Sequence, residues 1–265
     1  MAEVLKRNNV RVIGQGEKVI IFAHGFGCDQ NVWRHLINAY QDKLRLILFD
    51  YVGAGESDLN AYDSTRYSTL DGYALDVVEI LEALQIDEAI FVGHSVSSMV
   101  GVRAAISRPQ LFTKLVFVSP SPCYFNDGDY IGGLEKEDLD ALFEMMESNY
   151  LGWSSAMAPL IMGNAERPEL GDELTANFCA TDPDIAREFA RVTFLSDNRA
   201  DLAKLNVPNL TLQCKDDILA PLEVGYYMQK HAPQNTLVIL EAAGHCPHLS
   251  APEQTIQAIR EFIEA

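Results

Sequence analysis

Strand-like and helix-like segments alternate along this chain, and the alternation breaks once, between about Pro120 and Leu202. Runs rich in Val, Leu, Ile and Phe at residues 10–13, 19–23, 45–50, 89–93 and 114–119 read as strands. Residues 31–40, 72–84 and 96–108 read as helices. Near-continuous apolar strands separated by helices predict a mainly parallel sheet covered on both faces, an α/β fold. In the interruption four amphipathic runs replace the strands, at 135–148, 150–162, 168–179 and 183–195. Pro183 after Asp182 suits a helix N-terminus. After Val207-Pro208 strand-like runs return at 209–214 and 236–240, and a helix at 252–264 closes the pattern. The expected organisation is one core made of residues 1–121 and 203–265, with a four-helix lid inserted at 122–202.

One junction in that alternation carries chemistry. Ala89-Ile-Phe-Val-Gly93 ends in His94-Ser95, and helix-compatible sequence follows at once. A serine on a sharp strand-to-helix turn is lifted clear of the sheet, and the amide behind it opens a helix. This is the geometry of the nucleophile elbow, written Gly-x-Ser-x-Gly, of serine hydrolases with the α/β-hydrolase fold. Here the fifth position is Ser97, a small residue in place of glycine. Alone, the match also fits an ordinary turn between strand and helix, so the partners must decide.

The partners follow in the order Ser, acid, His that this fold uses. A strand-like run ending at Cys214 precedes Lys215-Asp216-Asp217, and another ending at Leu240 precedes Glu241-Ala-Ala-Gly-His245. An acid past one strand and a histidine past the next both reach the C-terminal edge of a parallel sheet, where Ser95 also sits. Histidine can take the serine proton near neutrality, and a carboxylate can fix its tautomer and stabilise the imidazolium. Asp217 stands four residues before Pro221, the spacing expected when the proline opens the next helix. Asp216 is then a solvated turn residue supporting the loop.

A second piece of machinery precedes the elbow. The run Val19-Ile-Ile-Phe-Ala23 leads into His24-Gly25-Phe26-Gly27. Acyl transfer places negative charge on the carbonyl oxygen, and each backbone N–H aimed at that oxygen lowers the barrier by about 3 kcal/mol. The expected donors are the amides of Phe26 and of Val96, directly after the nucleophile. The glycine spacing does not fit a dinucleotide fingerprint, and no Gly-Lys-Ser/Thr phosphate loop occurs. His94 is expected to hydrogen-bond beneath the elbow, and His35 and His231 to lie on helix surfaces. His245 and His248 lack the neighbouring cysteines or carboxylates of a metal site, so neither metal nor cofactor is expected. A dehalogenase or epoxide hydrolase would need aspartate at position 95.

Composition narrows the partners. Twenty basic against 38 acidic residues give a net charge of −18, which disfavours nucleic acid, anionic membrane and polyanionic substrates. Five cysteines without a Cys-x-x-Cys pattern, and an N-terminus without an apolar targeting run, fit a reduced cytoplasmic setting. The lid is rich in large apolar side chains and poor in Lys and Arg. Tyr124, Phe125, Trp153, Met157 and Phe194 are its candidates for lining an apolar pocket above Ser95. A neutral, small hydrophobic ligand suits such a pocket.

Longer stretches carry a resemblance. His24-Gly-Phe-Gly-Cys-Asp-Gln30, Leu48-Phe-Asp-Tyr-Val-Gly53, Tyr67-Ser-Thr-Leu-Asp-Gly-Tyr73, Phe91-Val-Gly-His-Ser-Val-Ser97, Ser119-Pro-Ser-Pro-Cys-Tyr124 and Gly244-His-Cys-Pro-His-Leu-Ser250 are similar to one group of α/β-hydrolases. That group holds the bacterial energy-stress regulator RsbQ and the plant receptors for strigolactones and karrikins, and the likeness runs nearly end to end. Gly244-His-Cys-Pro-His248, Asp216-Asp217 and Glu144-Met-Met-Glu147 lean toward the bacterial regulator, while Ser97 leans toward the plant receptors. The resemblance implies a catalytic triad of Ser95, Asp217 and His245, with oxyanion amides at Phe26 and Val96. It further implies slow hydrolysis of a small hydrophobic ester or butenolide-like ligand, tied to signalling through a protein partner. In the bacterial case that partner is a stress phosphatase upstream of an alternative sigma factor. A plain metabolic esterase or lactonase with no partner shares the same triad.

Overall fold

A computed structural model describes residues 2–265. Seven strands form one sheet: β1 (Arg11–Ile13), β2 (Val19–Ala23), β3 (Arg45–Leu48), β4 (Ala89–His94), β5 (Phe112–Val118), β6 (Asn209–Asp216) and β7 (Asn235–Ala243). Their order is β1-β3-β2-β4-β5-β6-β7, with β1 antiparallel to β3 and every other pair parallel. The helices are α1 (Ala2–Arg7), α2 (Arg34–Tyr40), α3 (Leu70–Ala83), α4 (Val96–Ser107), α5 (Lys136–Ser148), α6 (Tyr150–Met162), α7 (Pro168–Ala180), α8 (Pro183–Leu195), α9 (Arg199–Leu202), α10 (Leu222–His231), α11 (Pro247–Ser250) and α12 (Pro252–Glu264).

The central strands β2 and β4 are buried at every position, as continuous apolar runs in a two-sided sheet must be. Alternate side chains feed two cores. Ile20 and Phe22 pack with Trp33, Leu36 and Ile259 on the face of α2 and α12, while Ile21 packs with Val77, Leu81 and Val100 on the face of α3 and α4. Helices α5 to α8 stand between β5 and β6 in the chain, and their buried Leu139, Phe143, Met146, Leu174 and Phe178 join the first of these cores.

Element bounds follow local chemistry where they differ from sequence expectation. The third strand stops at Leu48 rather than residue 50 because the Asp50 carboxylate leaves the ladder to organise three loops. It accepts from the Gln30 amide at 2.8 Å, Asn9 Nδ2 at 2.7 Å and the Glu56 amide at 3.0 Å. The expected helix at 31–40 is a 3₁₀ turn over Gln30–Trp33, capped by Asp29, followed by α2. The short α1 was not expected. It is held by Arg7, which bonds Asp76 at 2.9 Å and Glu79 at 2.7 Å on α3.

Candidate active site

The strand β4 hands the chain to α4 through Ser95, whose φ of 57° and ψ of −126° lie outside the regions favoured by side-chain-bearing residues. The turn lifts the hydroxyl off the sheet edge. β7 ends at Ala243, and Gly244, at φ +85°, turns the chain so that the His245 ring faces the elbow. The His245 amide donates to the Ile161 carbonyl at 2.9 Å, so α6 helps to hold this loop. Past β6, Asp217 uses one carboxylate oxygen to accept the amides of Leu219 at 2.9 Å and Ala220 at 3.2 Å. The other oxygen is left for the histidine.

The three groups meet. His245 Nδ1 lies 2.8 Å from Asp217 Oδ2, and Nε2 lies 2.7 Å from Ser95 Oγ. A carboxylate only accepts, so Nδ1 carries the proton and Nε2 is free to accept from the serine. All three residues are buried. Asp216 is exposed and contributes only backbone, its carbonyl accepting the Gly244 amide at 2.7 Å. A fourth group joins them: Tyr124 Oη lies 3.0 Å from Ser95 Oγ. With the serine proton directed at His245, the phenol donates to Oγ. Burial raises the Tyr124 pKa, so that proton stays in place at neutral pH.

The Phe26 amide lies in the loop after β2, and the Val96 amide opens α4. Among the described residues neither has a hydrogen-bond partner. Gly25 lets the first loop approach, since a Cβ there would come within 2.4 Å of His94 Nδ1. Gly27, at φ +67°, leaves room for the Phe178 ring, 2.4 Å from where a Cβ would stand. His94 Nε2 donates to the His245 carbonyl at 2.8 Å, which places His94 beneath the elbow. Burial, with His248 and His245 beside it, pushes the His94 pKa well down, so the ring is neutral. His248 is wholly buried against Trp33, with ring centroids 4.7 Å apart, and burial takes its pKa to about 3.

Above Ser95 lies a narrow cavity of about 30 Å³. Phe26, Trp153, Phe178 and Phe194 form much of its wall, with Cys28 and Cys246 beside the triad. The Phe26 ring is its hub, with centroids 6.2 Å from Trp153, 5.6 Å from Phe178 and 6.3 Å from Phe194. Burial raises the pKa of both cysteines, so they are neutral thiols and weak rivals to Ser95 as nucleophiles. Roomier grooves exist elsewhere, including one of about 400 Å³ by Thr69, Arg103 and Arg191, but they contain neither Ser95 nor His245.

Of the residues the sequence nominated for the pocket, Trp153 and Phe194 stand on the cavity wall, and Tyr124 reaches the nucleophile itself. Phe125 and Met157 are displaced from it. Phe125 is half-buried with Lys136 Nζ 5.3 Å from its ring centre, and Met157 is half-buried against the core. Apolar character alone does not say which side of a helix meets the cavity. The wall also includes Ile161, Leu174 and Thr193, which sequence reasoning missed. Ile161 lies eight residues after Trp153, and Leu174 four before Phe178, so helical spacing held a usable signal. Among the described residues no group of three or more His, Cys, Asp or Glu side chains could hold a metal ion, and no helix is long and apolar enough to cross a membrane.

The sequence profile of the alpha/beta hydrolase family matches residues 20–258. A karrikin insensitive 2 receptor of Petunia hybrida is 43% identical over 264 residues, spanning 99% of this chain and 98% of that protein. The strigolactone esterase D14 of Arabidopsis thaliana is 39% identical, spanning 98% and 97% of the two chains. The solved structure of a hydrolase from Oleispira antarctica superposes with a TM-score of 0.97 at 42% identity, covering 99% of this chain and 97% of the other.

Proposed function

The chain belongs to the alpha/beta hydrolase family, and from that premise we propose that it cleaves a small, neutral, hydrophobic ester or butenolide-like lactone at Ser95 and signals through a protein partner. The observation that carries the chemistry is the Ser95–His245–Asp217 hydrogen-bonded series at the floor of an apolar cavity. His245 Nε2 takes the Ser95 proton as Oγ attacks the carbonyl carbon. The carbonyl electron pair moves onto oxygen, where the Phe26 and Val96 amides receive it. Collapse breaks the acyl C–O bond, His245 protonates the leaving oxygen, and an acyl-serine remains; an ester releases that oxygen as a free alcohol, whereas a lactone keeps it tethered to the acyl group. Water, deprotonated by the same ring, then releases the acid. Asp217 holds the ring in place through both steps.

The four helices α5 to α8, in the expected insert at 122–202, act as a lid in this reading. A pocket for a drug-sized ligand measures several hundred Å³, whereas the space above Ser95 is about 30 Å³. The aromatic wall from α6, α7 and α8 therefore has to move for a ligand to enter. Occupancy then biases the exposed faces of those helices, which is how a ligand would be reported to a partner. Relatives named as a receptor and as an esterase support pairing binding with turnover. The partner fitting the bacterial branch of the resemblance is a stress phosphatase acting upstream of an alternative sigma factor.

Kinetics on a panel of aryl esters and butenolides, beside a pull-down from the native host, test this reading. The expected result is turnover far below the ~10 per second of ordinary metabolic enzymes, together with a specifically retained signalling protein. Fast turnover with nothing retained would instead make it a plain metabolic esterase.

A further inference from the structure

We propose that Ser97 and Tyr51 are positioning residues that hold the two oxyanion amides in register. This inference rests on the assignment of Phe26 and Val96 as the oxyanion donors. The common elbow has a bare glycine at the fifth position. Here Ser97 carries a hydroxyl and is fully buried. That hydroxyl donates to the carbonyl oxygen of His24. Its single proton is then committed, so the Tyr51 phenol, 2.9 Å away, is the donor to Ser97 Oγ. Tyr51 is buried among the rings of Phe49, Tyr73 and Phe189. The series phenol, hydroxyl, carbonyl thus ties the loops that follow β3 and β2 to the first turn of α4, which follows β4; the three strands are neighbours.

The bonds behind each amide show what this strap holds. The His24 ring accepts the Tyr51 amide at Nε2 over 3.1 Å, so Nδ1 bears the proton and donates to the Gly25 carbonyl at 2.9 Å. That carbonyl shares a rigid peptide plane with the Phe26 N–H, which must point the opposite way. Across the gap, the Ser95 carbonyl shares a plane with the Val96 N–H, and it accepts the Ser98 amide at 2.9 Å. Each plane is therefore fixed within its own loop. The link between the loops is Ser97 Oγ to the His24 carbonyl, one residue beyond Val96 on one side and two before Phe26 on the other. Neither Ser97 nor Tyr51 touches the reacting atoms. Their loss should leave ground-state binding intact and weaken only the grip on the developing oxyanion.

The test uses hydrolysis of p-nitrophenyl acetate and inhibition by phenylboronic acid, whose boronate on Ser95 places an oxygen where the oxyanion forms. The proteins are wild type, Ser95→Ala, Ser97→Ala, Ser97→Gly, Tyr51→Phe and the double variant Ser97→Ala/Tyr51→Phe. Both Ser97 variants should lose about 10- to 100-fold in kcat, less than deletion of a whole oxyanion donor at its worst. KM should hold, and the boronate inhibition constant should rise by the same factor as kcat falls. Tyr51→Phe should show a smaller loss of the same kind. The double variant should be no worse than Ser97→Ala, because the phenol acts only through Ser97. Normal kcat in Ser97→Gly, a loss confined to KM, or unchanged boronate inhibition would overturn the strap. If Ser97→Ala does not fold, the same readings on Tyr51→Phe decide. Wild-type turnover by Ser95→Ala would overturn the underlying catalytic assignment instead, so the two failures are distinguishable.

Discussion

Ser95 sits in a backbone conformation that costs on the order of 1–3 kcal/mol for a residue with a side chain. The site works only if its neighbours act on the one hydroxyl that this turn presents to the cavity. His245 and Tyr124 approach it from two sides, and Asp217 fixes His245 from behind. Replacing Asp217 by Asn would present the wrong hydrogen-bonding partner to Nδ1 and favour the wrong tautomer. We expect kcat to fall by about a thousandfold or more, while Asp216→Asn, a change on an exposed side chain, leaves it near wild type. Equal losses in steady-state assays of the two variants would contradict the geometry. The choice between these aspartates was legible in the sequence because Pro221 fixes where the next helix starts. The Tyr124 contact was not. A tyrosine in a Ser-Pro-Ser-Pro-Cys-Tyr segment signals an apolar ring but not where its hydroxyl lands, which depends on the path of a loop after β5.

At the scale of elements, most strands and helices were readable because each carries a long periodic or continuous apolar run. Bounds of α6 and α8 match expectation, for both are set by sharp punctuation: Asn149 and Gly163 around one, Asp182 and Pro183 opening the other. The misses are short pieces such as α1, α9 and α11, whose six or four residues are too few to show a period. The cavity wall was half legible for a related reason. Which stripe of a helix meets the cavity depends on how α6, α7 and α8 pack together, as the displacement of Met157 on α6 shows, and where Phe125 falls depends on the path of the loop before α5. Trp153 and Phe194 do face it. Truncating either to Ala should weaken a small hydrophobic inhibitor by ~1–3 kcal/mol if the ring buries against it, measured as the shift in inhibition constant. Unchanged constants for both would place these rings in the helical packing alone.

At the scale of the whole molecule two properties stand out, buried neutral histidines and a strongly acidic surface. His24, His94 and His248 are buried, and burial is the main cause lowering each pKa, to about 3 for His248. In the unfolded chain these rings titrate near 6.5. Above that pH neither state is protonated and the rings cost nothing. Below it the unfolded state takes up protons that the folded state refuses, so stability falls as pH drops from about 6.5 toward 3, by up to ~1.4 kcal/mol per pH unit for each ring. Urea unfolding midpoints between pH 7.5 and 5 should fall less steeply for His248→Phe than for wild type. Parallel slopes would contradict a neutral His248. The acidic surface, with net charge −18, suits a basic patch on a partner. On α5 the exposed Glu137 and Glu144 are the acids to reverse. Asp138 is unsuitable because its carboxylate accepts the Glu135 amide at 3.2 Å and helps to start the helix. Glu137→Lys with Glu144→Lys should reduce partner capture while ester hydrolysis stays normal. Capture at wild-type level would move the contact away from α5.

The most direct measurement is intact-protein and peptide mass spectrometry after exposure to an activated aryl ester or a fluorophosphonate. A single adduct is expected on the peptide that carries Ser95. It should be absent in Ser95→Ala and form much more slowly in Asp217→Asn. An adduct on another residue, or one that persists in Ser95→Ala, would contradict Ser95 as the nucleophile.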